Sequence, residues 1–451
     1  MTLKRVLIAN RGEIAVRVVK ACKALGIESV VAVSTADKNS LAPQLADRAV
    51  CIGPARVGDS YLNQNALLAA ALGTGAEAVH PGYGFLAENP KFVKACEENN
   101  LIFVGPKSDS VEKMGNKLAA REIANQFGVP VVPGSPRIAR FEDAAEVAER
   151  IGFPLLFKAA AGGGGRGIRI VNQSSELKNA FQSASAEAEA AFGDNTLYIE
   201  RYVVSARHIE IQVFGDKDGN AIHLGERDCS MQRRYQKIIE EAPAVMVPDK
   251  TREAIRAAAV TLVKGISYHN AGTVEFIYDE ERDEFYFLEM NTRIQVEHPV
   301  TEMITGIDLV QLQLKIAGGE TIPYRQSDVK LSGHAIECRI NAESPQNSFH
   351  PSPGRITRWD PPQIEGVRLD SHCFEGYVVP PFYDSLLAKL IIHGQDRQDA
   401  LIKTREALEN FKVEGISTNI DFLRFLTNES DFETGRYNTR WVEANIDRFL
   451  P

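Results

Sequence analysis

The run Glu289-Met-Asn-Thr-Arg-Ile-Gln-Val-Glu297 sets a carboxylate, a carboxamide, a guanidinium, a second carboxamide and a second carboxylate at every other position. Alternate side chains of an extended chain share a face. If the extension of the preceding apolar segment Phe285-Tyr-Phe-Leu288 persists, then Glu289, Asn291, Arg293, Gln295 and Glu297 line one surface. A charged face is commonly just solvated. This one follows an aromatic strand and ends at His298-Pro299, a poor context for a plain solvated edge. Glu289 and Asn291 suit a hard cation such as Mg²⁺, which takes oxygen ligands and keeps phosphates as partners. Arg293 suits a planar anion.

Other stretches offer compatible groups. In Thr273-Val-Glu275-Phe-Ile277, Glu275 faces away from Val274 and Phe276. One strand pairing away, Glu275 and Glu289 would meet around a cation on a triphosphate, because two carboxylates at one site stay ionised only with a cation between them. Lys158-Ala-Ala-Ala-Gly162-Gly-Gly-Gly165-Arg166-Gly167 follows the apolar strand Pro154–Phe157. Bare glycine amides approach phosphate closely, and Lys158 would reach phosphate oxygens as a point charge. A flexible surface hairpin is the alternative; the spacing is not GxxxxGK[ST], and four glycines in a row point to a lid closing on a nucleotide. His208-Ile-Glu-Ile-Gln-Val-Phe214 alternates, with His208, Glu210 and Gln212 on one face; a lone histidine there is more often structural than functional. The polar run Glu226–Lys237 is a candidate anion site, and its Cys229 reads as an inert thiol. Glu337 and Arg339 share a face, which by itself reads as a surface ion pair worth little.

The elements that position these groups follow from periodicity. Apolar runs at 5–9, 29–33, 76–80 and 102–104 alternate with helical patterns such as 14–25, which predicts a parallel α/β sheet. Glycine-bearing loops after two of them, Pro81-Gly-Tyr-Gly84 and Gly105-Pro106, lie where such sheets bind ligands; none is GxGxxG. One helix over 111–127 contains Lys117, and Pro130–Pro136 reads as a linker. A smaller module follows: helix 142–151, strands 154–158 and 168–171, and an Ala-rich helix ending near Gly193. Strands are expected at 196–200, 208–214, 221–226, 272–278 and 284–290. From about residue 332 strands dominate, with helices returning at 397–412 and 418–426.

The 451 residues exceed one ordinary core, so two or three domains are expected. At 44% hydrophobic and 25% charged the chain reads as a globular protein. A net charge of −9 argues against a general nucleic-acid surface. Six scattered cysteines without a CxxC pair read as reduced thiols of a cytoplasmic protein. No stretch approaches a membrane span, and Met1 leads directly into Arg5-Val-Leu-Ile-Ala9 without a signal-peptide pattern.

The segments Ile8–Ala15, His80–Leu86, Gly162–Gly167, Glu226–Lys237, Glu289–Val300 and Gly333–Glu343 together resemble the biotin carboxylase component of biotin-dependent carboxylases, a branch of the ATP-grasp superfamily; the resemblance runs from about residue 3 to 446. It implies a mixed α/β and α+β chain. An N-terminal parallel α/β domain would span 1–114. An ATP-grasp domain would span 115–331, with a mobile glycine-loop lid at 131–204. A mainly-β C-terminal domain would span 332–447. It also implies ATP-dependent carboxylation of biotin by bicarbonate through carboxyphosphate. On that resemblance Lys117 and Lys158 bind ATP phosphates and Gly164 and Gly165 cover them. Glu200, Arg201, Tyr202 and Val203 hold the adenine, and His208 and Gln232 contact ribose and base. Glu275, Glu289 and Asn291 ligate two Mg²⁺ or Mn²⁺ ions. Lys237, Arg293, Gln295 and Val296 form the bicarbonate pocket, Glu297 is the base, and Arg339 stabilises the biotin enolate. Tyr235 stands where many members have histidine, and Ala160-Ala161 where a relative often has Ser-Gly. With no Ala-Met-Lys-Met motif before Pro451, the expected partners are a separate biotin carboxyl carrier protein and a carboxyltransferase subunit, and the expected assembly is a homodimer. Another ATP-grasp carboxylate–amine ligase and a non-catalytic nucleotide-binding regulator are the rival readings. The former lacks a use for the Arg293/Gln295/Glu297/Arg339 set, and the latter would be expected to lose Glu297 or the metal ligands.

Overall fold

The computed structural model describes residues 3–159 and 168–450. Gly164 and Gly165, together with Ala160, Ala161 and Arg166, lie outside these residues.

Short apolar runs form β1 (Arg5–Ile8), β2 (Glu28–Ser34), β3 (Arg48–Gly53), β4 (Ala78–His80) and β5 (Ile102–Phe103). All pairs are parallel, in the order β3-β2-β1-β4-β5. Val6, Leu7 and Ile8 are buried on both faces, as a parallel sheet covered by helices requires. The winding direction reverses between β1 and β4, which is where open α/β sheets bind ligands. There Asn10 Nδ2 donates to the carbonyls of Pro81 at 2.6 Å and Tyr83 at 2.7 Å. Gly82 has φ +62°, and a Cβ on it would lie 2.9 Å from Asn10 Nδ2; only glycine lets the loop close on Asn10 and set Tyr83 in place.

The helix expected over 111–127 is two helices, Ser108–Gly115 and Lys117–Gln126. Asn116 between them is extended, and its side chain accepts from the amides of Leu118 and Ala119. The asparagine cap wins over continued helix, and Lys117 becomes a first-turn residue.

The chain divides into two compact units: Met1–Val129, Arg207–Phe276 and Glu289–Pro451 in one, Pro130–Ala206 and Ile277–Leu288 in the other. The second holds β6 (Leu155–Ala159), β7 (Ile168–Val171) and β8 (Leu197–Arg201) in the antiparallel order β7-β6-β8. Helices Phe141–Ile151 and Leu177–Phe192 contribute to its core, with Ala144, Ala148 and Phe181 against Leu155, Phe157 and Ile199. The stretch 130–136 is more than a linker. It forms bridges Val131↔Phe287 and Gly134↔Glu200, an edge position that tolerates its prolines.

The long strands are β9 (Ala206–Gly215), β10 (Ala221–Arg233), β11 (Gln236–Ala242), β12 (Asn270–Asp279), β13 (Glu284–Asn291) and β14 (His334–Asn341); all lie in the first unit except Ala206, Ile277–Asp279 and Glu284–Leu288, which belong to the second. With two further strands they form one sheet ordered β13-β12-β9-β10-β11-β14, then Leu386–Gly394, then Val367–Ser371. The pairs from β9 to Val367–Ser371 are antiparallel, so residues on both sides of position 331 share a single sheet. Ile336, Ile340, Leu390 and Ile392 bury against helices Arg397–Asn410 and Ile420–Asn428.

Candidate active site

The extension proposed for the run 289–297 ends at Asn291, where β13 stops. Thr292–Glu297 is irregular, and the helix His298–Thr305 begins immediately after, with Pro299 in its first turn. The five polar residues therefore do not share a strand face. Proline at a helix start is favoured because its φ is already helical and it has no N–H to leave unpaired; the turn into that helix ends the extension. The turn still gathers them. Asn291 Nδ2 and Gln295 Nε2 donate to the same oxygen of Glu275 at 2.6 and 2.8 Å. Arg293 donates to Asn291 Oδ1 at 3.1 Å and to Glu88 at 2.8 Å.

The polar centre forms where β12, β9, β10, β11 and β14 run side by side. Lys237 Nζ lies 2.7 Å from Glu297 and 3.3 Å from Glu275, and pairs closely with Glu210. The other Glu297 oxygen accepts from Arg339 at 2.9 Å, and Arg339 Nε donates to Glu240 at 2.6 Å. Behind Glu210, the fully buried Arg227 donates to Glu210 at 3.1 Å, to Thr301 at 3.0 Å and to Gln295 Oε1 at 2.5 Å. His208 Nε2 sits 3.0 Å from Glu275 and 3.2 Å from Glu210, and its Nδ1 meets Gln232 at 2.9 Å.

Charge sets the protonation of this cluster. Burial pushes the Glu297 carboxyl up, but Lys237 and Arg339 outweigh it and hold Glu297 below the usual carboxylate range. Glu275 is held well below it, against burial, chiefly by Lys237 and His208. Burial disfavours charge on His208, yet Glu275 and Glu210 raise it to about 9, so the ring is an imidazolium at neutral pH. Glu240 goes the other way: burial, with Glu297 nearby, outweighs Arg339 and pushes it up to about 7.

The remaining expected residues take defined places. Lys117 Nζ lies 3.0 Å from Glu289 and is largely exposed. In the second unit Lys158 pairs with Glu200, Arg201 donates to the Tyr286 hydroxyl at 3.0 Å, Tyr202 N–H donates to the Pro154 carbonyl at 3.0 Å, and Val203 is buried beside Tyr286. Tyr235 is 91% exposed at the tip of the β10–β11 hairpin. The Val296 carbonyl accepts from Lys389 at 2.9 Å. Of the expected metal ligands, Glu275 and Asn291 are in contact, Asn291 Nδ2 donating at 2.6 Å, while Glu289 pairs with Lys117; their side-chain oxygens are of the kind a hard divalent cation takes. Sequence reasoning missed Glu240 and Glu88, named Arg227 only as a member of the polar run Glu226–Lys237, and named Glu210 only as a face-mate of His208. For Glu210 that alternation was the one available signal.

Residues 2–111 match the family description "Biotin carboxylase, N-terminal domain", residues 116–325 "Carbamoyl-phosphate synthase L chain, ATP binding domain" and residues 337–444 "Biotin carboxylase C-terminal domain". The chain is 51% identical over 443 residues to biotin carboxylase 1 of Bacillus subtilis, covering 98% of each. It is 49% identical over 446 residues to the biotin carboxylase of Pseudomonas aeruginosa, covering 98% of this chain and 99% of that one. The biotin carboxylase domain dimer of Hydrogenobacter thermophilus 2-oxoglutarate carboxylase, solved with MgADP, ADP and bicarbonate, superposes with a TM-score of 0.90 at 47% identity, covering 100% of this chain and 99% of that one. With this identity along nearly its entire length, the chain belongs to the biotin carboxylase family.

Proposed function

We propose that the cluster around Lys237 is where this biotin carboxylase activates bicarbonate, and that Glu297 is its base. The family's reaction is ATP-dependent carboxylation of biotin: bicarbonate and ATP give ADP, phosphate and carboxybiotin. The observation that carries the reading is the double grip on Glu297, by Lys237 at 2.7 Å and Arg339 at 2.9 Å. A carboxylate held by two cations is a poor base. An anion drawn to Lys237, Arg293 and Arg339 takes up their charge, frees Glu297 and raises its basicity at the moment a proton must be removed.

In this reading Glu297 takes the bicarbonate proton while Lys237 and Arg293 hold the anion, and a bicarbonate oxygen attacks the γ-phosphorus as ADP leaves. Lys117 and Lys158 bind the triphosphate, so catalysis is largely positioning and electrostatics. Glu275, Glu289 and Asn291 would hold Mg²⁺ or Mn²⁺, which when bound neutralises phosphate charge. Carboxyphosphate then releases CO₂, and the phosphate left behind takes the ureido proton. The nitrogen attacks CO₂ while Arg339 stabilises the developing oxyanion. Glu200, Arg201, Tyr202, Val203, His208, Gln232 and Tyr235 are the proposed adenosine contacts.

We place the protein in the cytoplasm, in keeping with six free cysteines, and as a homodimer, the state of the Hydrogenobacter domain. It would charge the biotin of a carrier protein for a carboxyltransferase, which selects the final acceptor; acetyl-CoA, for fatty acid synthesis, is the acceptor we propose first. ADP release with MgATP and bicarbonate, with and without free biotin, tests the assignment. Strong stimulation needing both bicarbonate and biotin supports it. Cleavage indifferent to biotin moves the function to another ATP-grasp ligase.

A further inference from the structure

The irregular segment Thr292–Glu297 has no ladder hydrogen bonds to hold it, so its few anchors set where Glu297 points. One of them comes from Lys389, which is fully buried. Lys389 lies on the strand Leu386–Gly394, directly opposite Arg339 on β14 and Asp370 on Val367–Ser371. Its Nζ donates to the Val296 carbonyl at 2.9 Å and lies 3.1 Å from Glu13 Oε1. The same Glu13 oxygen accepts from the Tyr83 hydroxyl. Glu13 is buried in the helix Gly12–Ala24, and its other oxygen accepts no hydrogen bond among the described residues. Nearby Glu337 is buried with neither oxygen hydrogen-bonded among the described residues.

A buried ammonium is costly unless paired and hydrogen-bonded, and packing alone would be served by methionine. This one spends its donors on a backbone carbonyl adjoining Glu297. The planar trans peptide then dictates where the Glu297 N–H and Cα lie. We propose that Lys389 and Glu13 form a buried strut joining the Tyr83 loop to the Thr292–Glu297 turn, and that Lys389 is a positioning residue for the bicarbonate site. The assignment rests on the functional reading above, in which that turn holds bicarbonate and its base.

The test is steady-state ADP release by full-length Lys389→Met, with bicarbonate and ATP varied separately, beside thermal melting and Lys389→Arg. Misplacing the turn should lower kcat/KM for bicarbonate by about tenfold to a hundredfold, with the ATP KM within about twofold of wild type. Lys389→Arg, which can still donate to the carbonyl and to Glu13, should recover part of the loss. Equal losses in the bicarbonate and ATP parameters, or no change in either, would overturn the assignment. If Lys389→Met does not fold, Glu13→Gln, which keeps the shape and removes the counter-charge, should show the same selectivity in smaller measure, and parallel losses there overturn it equally. Wild-type ATP cleavage that needs no bicarbonate would instead sink the functional reading, and the strut's role with it.

Discussion

Lys237 faces Glu210, Glu275 and Glu297, and its own ammonium form is strongly favoured by them against the penalty of burial. Removing it would leave three buried carboxylates with less compensation than they need. Lys237→Met is therefore expected to lower stability by about 3 kcal/mol, measured by urea unfolding, with Glu210→Gln in the same chain recovering part. A variant as stable as wild type would show that Arg227, Arg339 and His208 suffice. Glu297→Gln keeps size and most hydrogen bonds but cannot take a proton. Turnover should fall roughly 10²–10⁴-fold while the ATP KM stays near wild type, and intact turnover would remove Glu297 from the base role.

Two local elements present expected ATP-binding side chains, and each carries its own energetic signature. Asn116 caps the helix Lys117–Gln126 through the amides of Leu118 and Ala119. Asn116→Ala should cost about 1 kcal/mol in thermal unfolding and weaken ATP binding, because the cap also fixes the first-turn Lys117. An unchanged ATP KM would separate the cap from the site. In the β10–β11 hairpin the two turn residues, Arg234 and Tyr235, have φ +49° and +64°, the left-handed pair that Asn-Gly usually supplies. Side chains there cost roughly 1–2 kcal/mol each. Tyr235 is almost fully exposed, so Tyr235→Gly forfeits little burial and should stabilise by about 1 kcal/mol. A simultaneous rise in ATP KM would show that the tyrosine is kept for the nucleotide in spite of the strain.

Across the first unit, buried ion pairs tie distant parts of the chain together. Glu302 accepts from Arg17 at 2.7 Å and from Arg368 at 2.7 Å, and Arg368 grips Asp370 with both ends at 2.9 and 2.6 Å. Burial pushes Asp370 up, but Arg368, with Lys389 and Arg17, brings it from 3.8 down to about 2. A carboxyl depressed on folding stabilises the native state above its unfolded pKa. That stability is lost as pH falls through the folded value. Asp370 should thus contribute about 2 kcal/mol at neutral pH. In urea titrations the gap between wild type and Asp370→Asn should be constant from pH 7 to 5 and close as pH drops from about 4 toward 2. A gap independent of pH would mean that the loss is packing rather than charge.

The amino-acid order alone determined the local elements. Period-two alternation placed His208 and Glu210 together in one strand, and four apolar runs with helical spacers marked the parallel sheet apart from its edge strand β3, in which only Ile52 is buried. These are short-range properties, set by sterics and by which face a side chain must bury. The run 289–297 was legible as chemistry but not as geometry, since the start of the next helix ends the strand at Asn291. Glu240 and Lys389 were legible as neither, and Arg227 only as a member of the polar run Glu226–Lys237. Their partners lie across the fold: Arg227 meets Gln295 from 68 positions away, Arg339 meets Glu240 from 99, and Lys389 meets Val296 from 93. No sequence period links such positions, and only the side-by-side pairing of β12, β9, β10, β11, β14 and the strand Leu386–Gly394 brings their charges within hydrogen-bonding reach, where low dielectric makes each pairing matter.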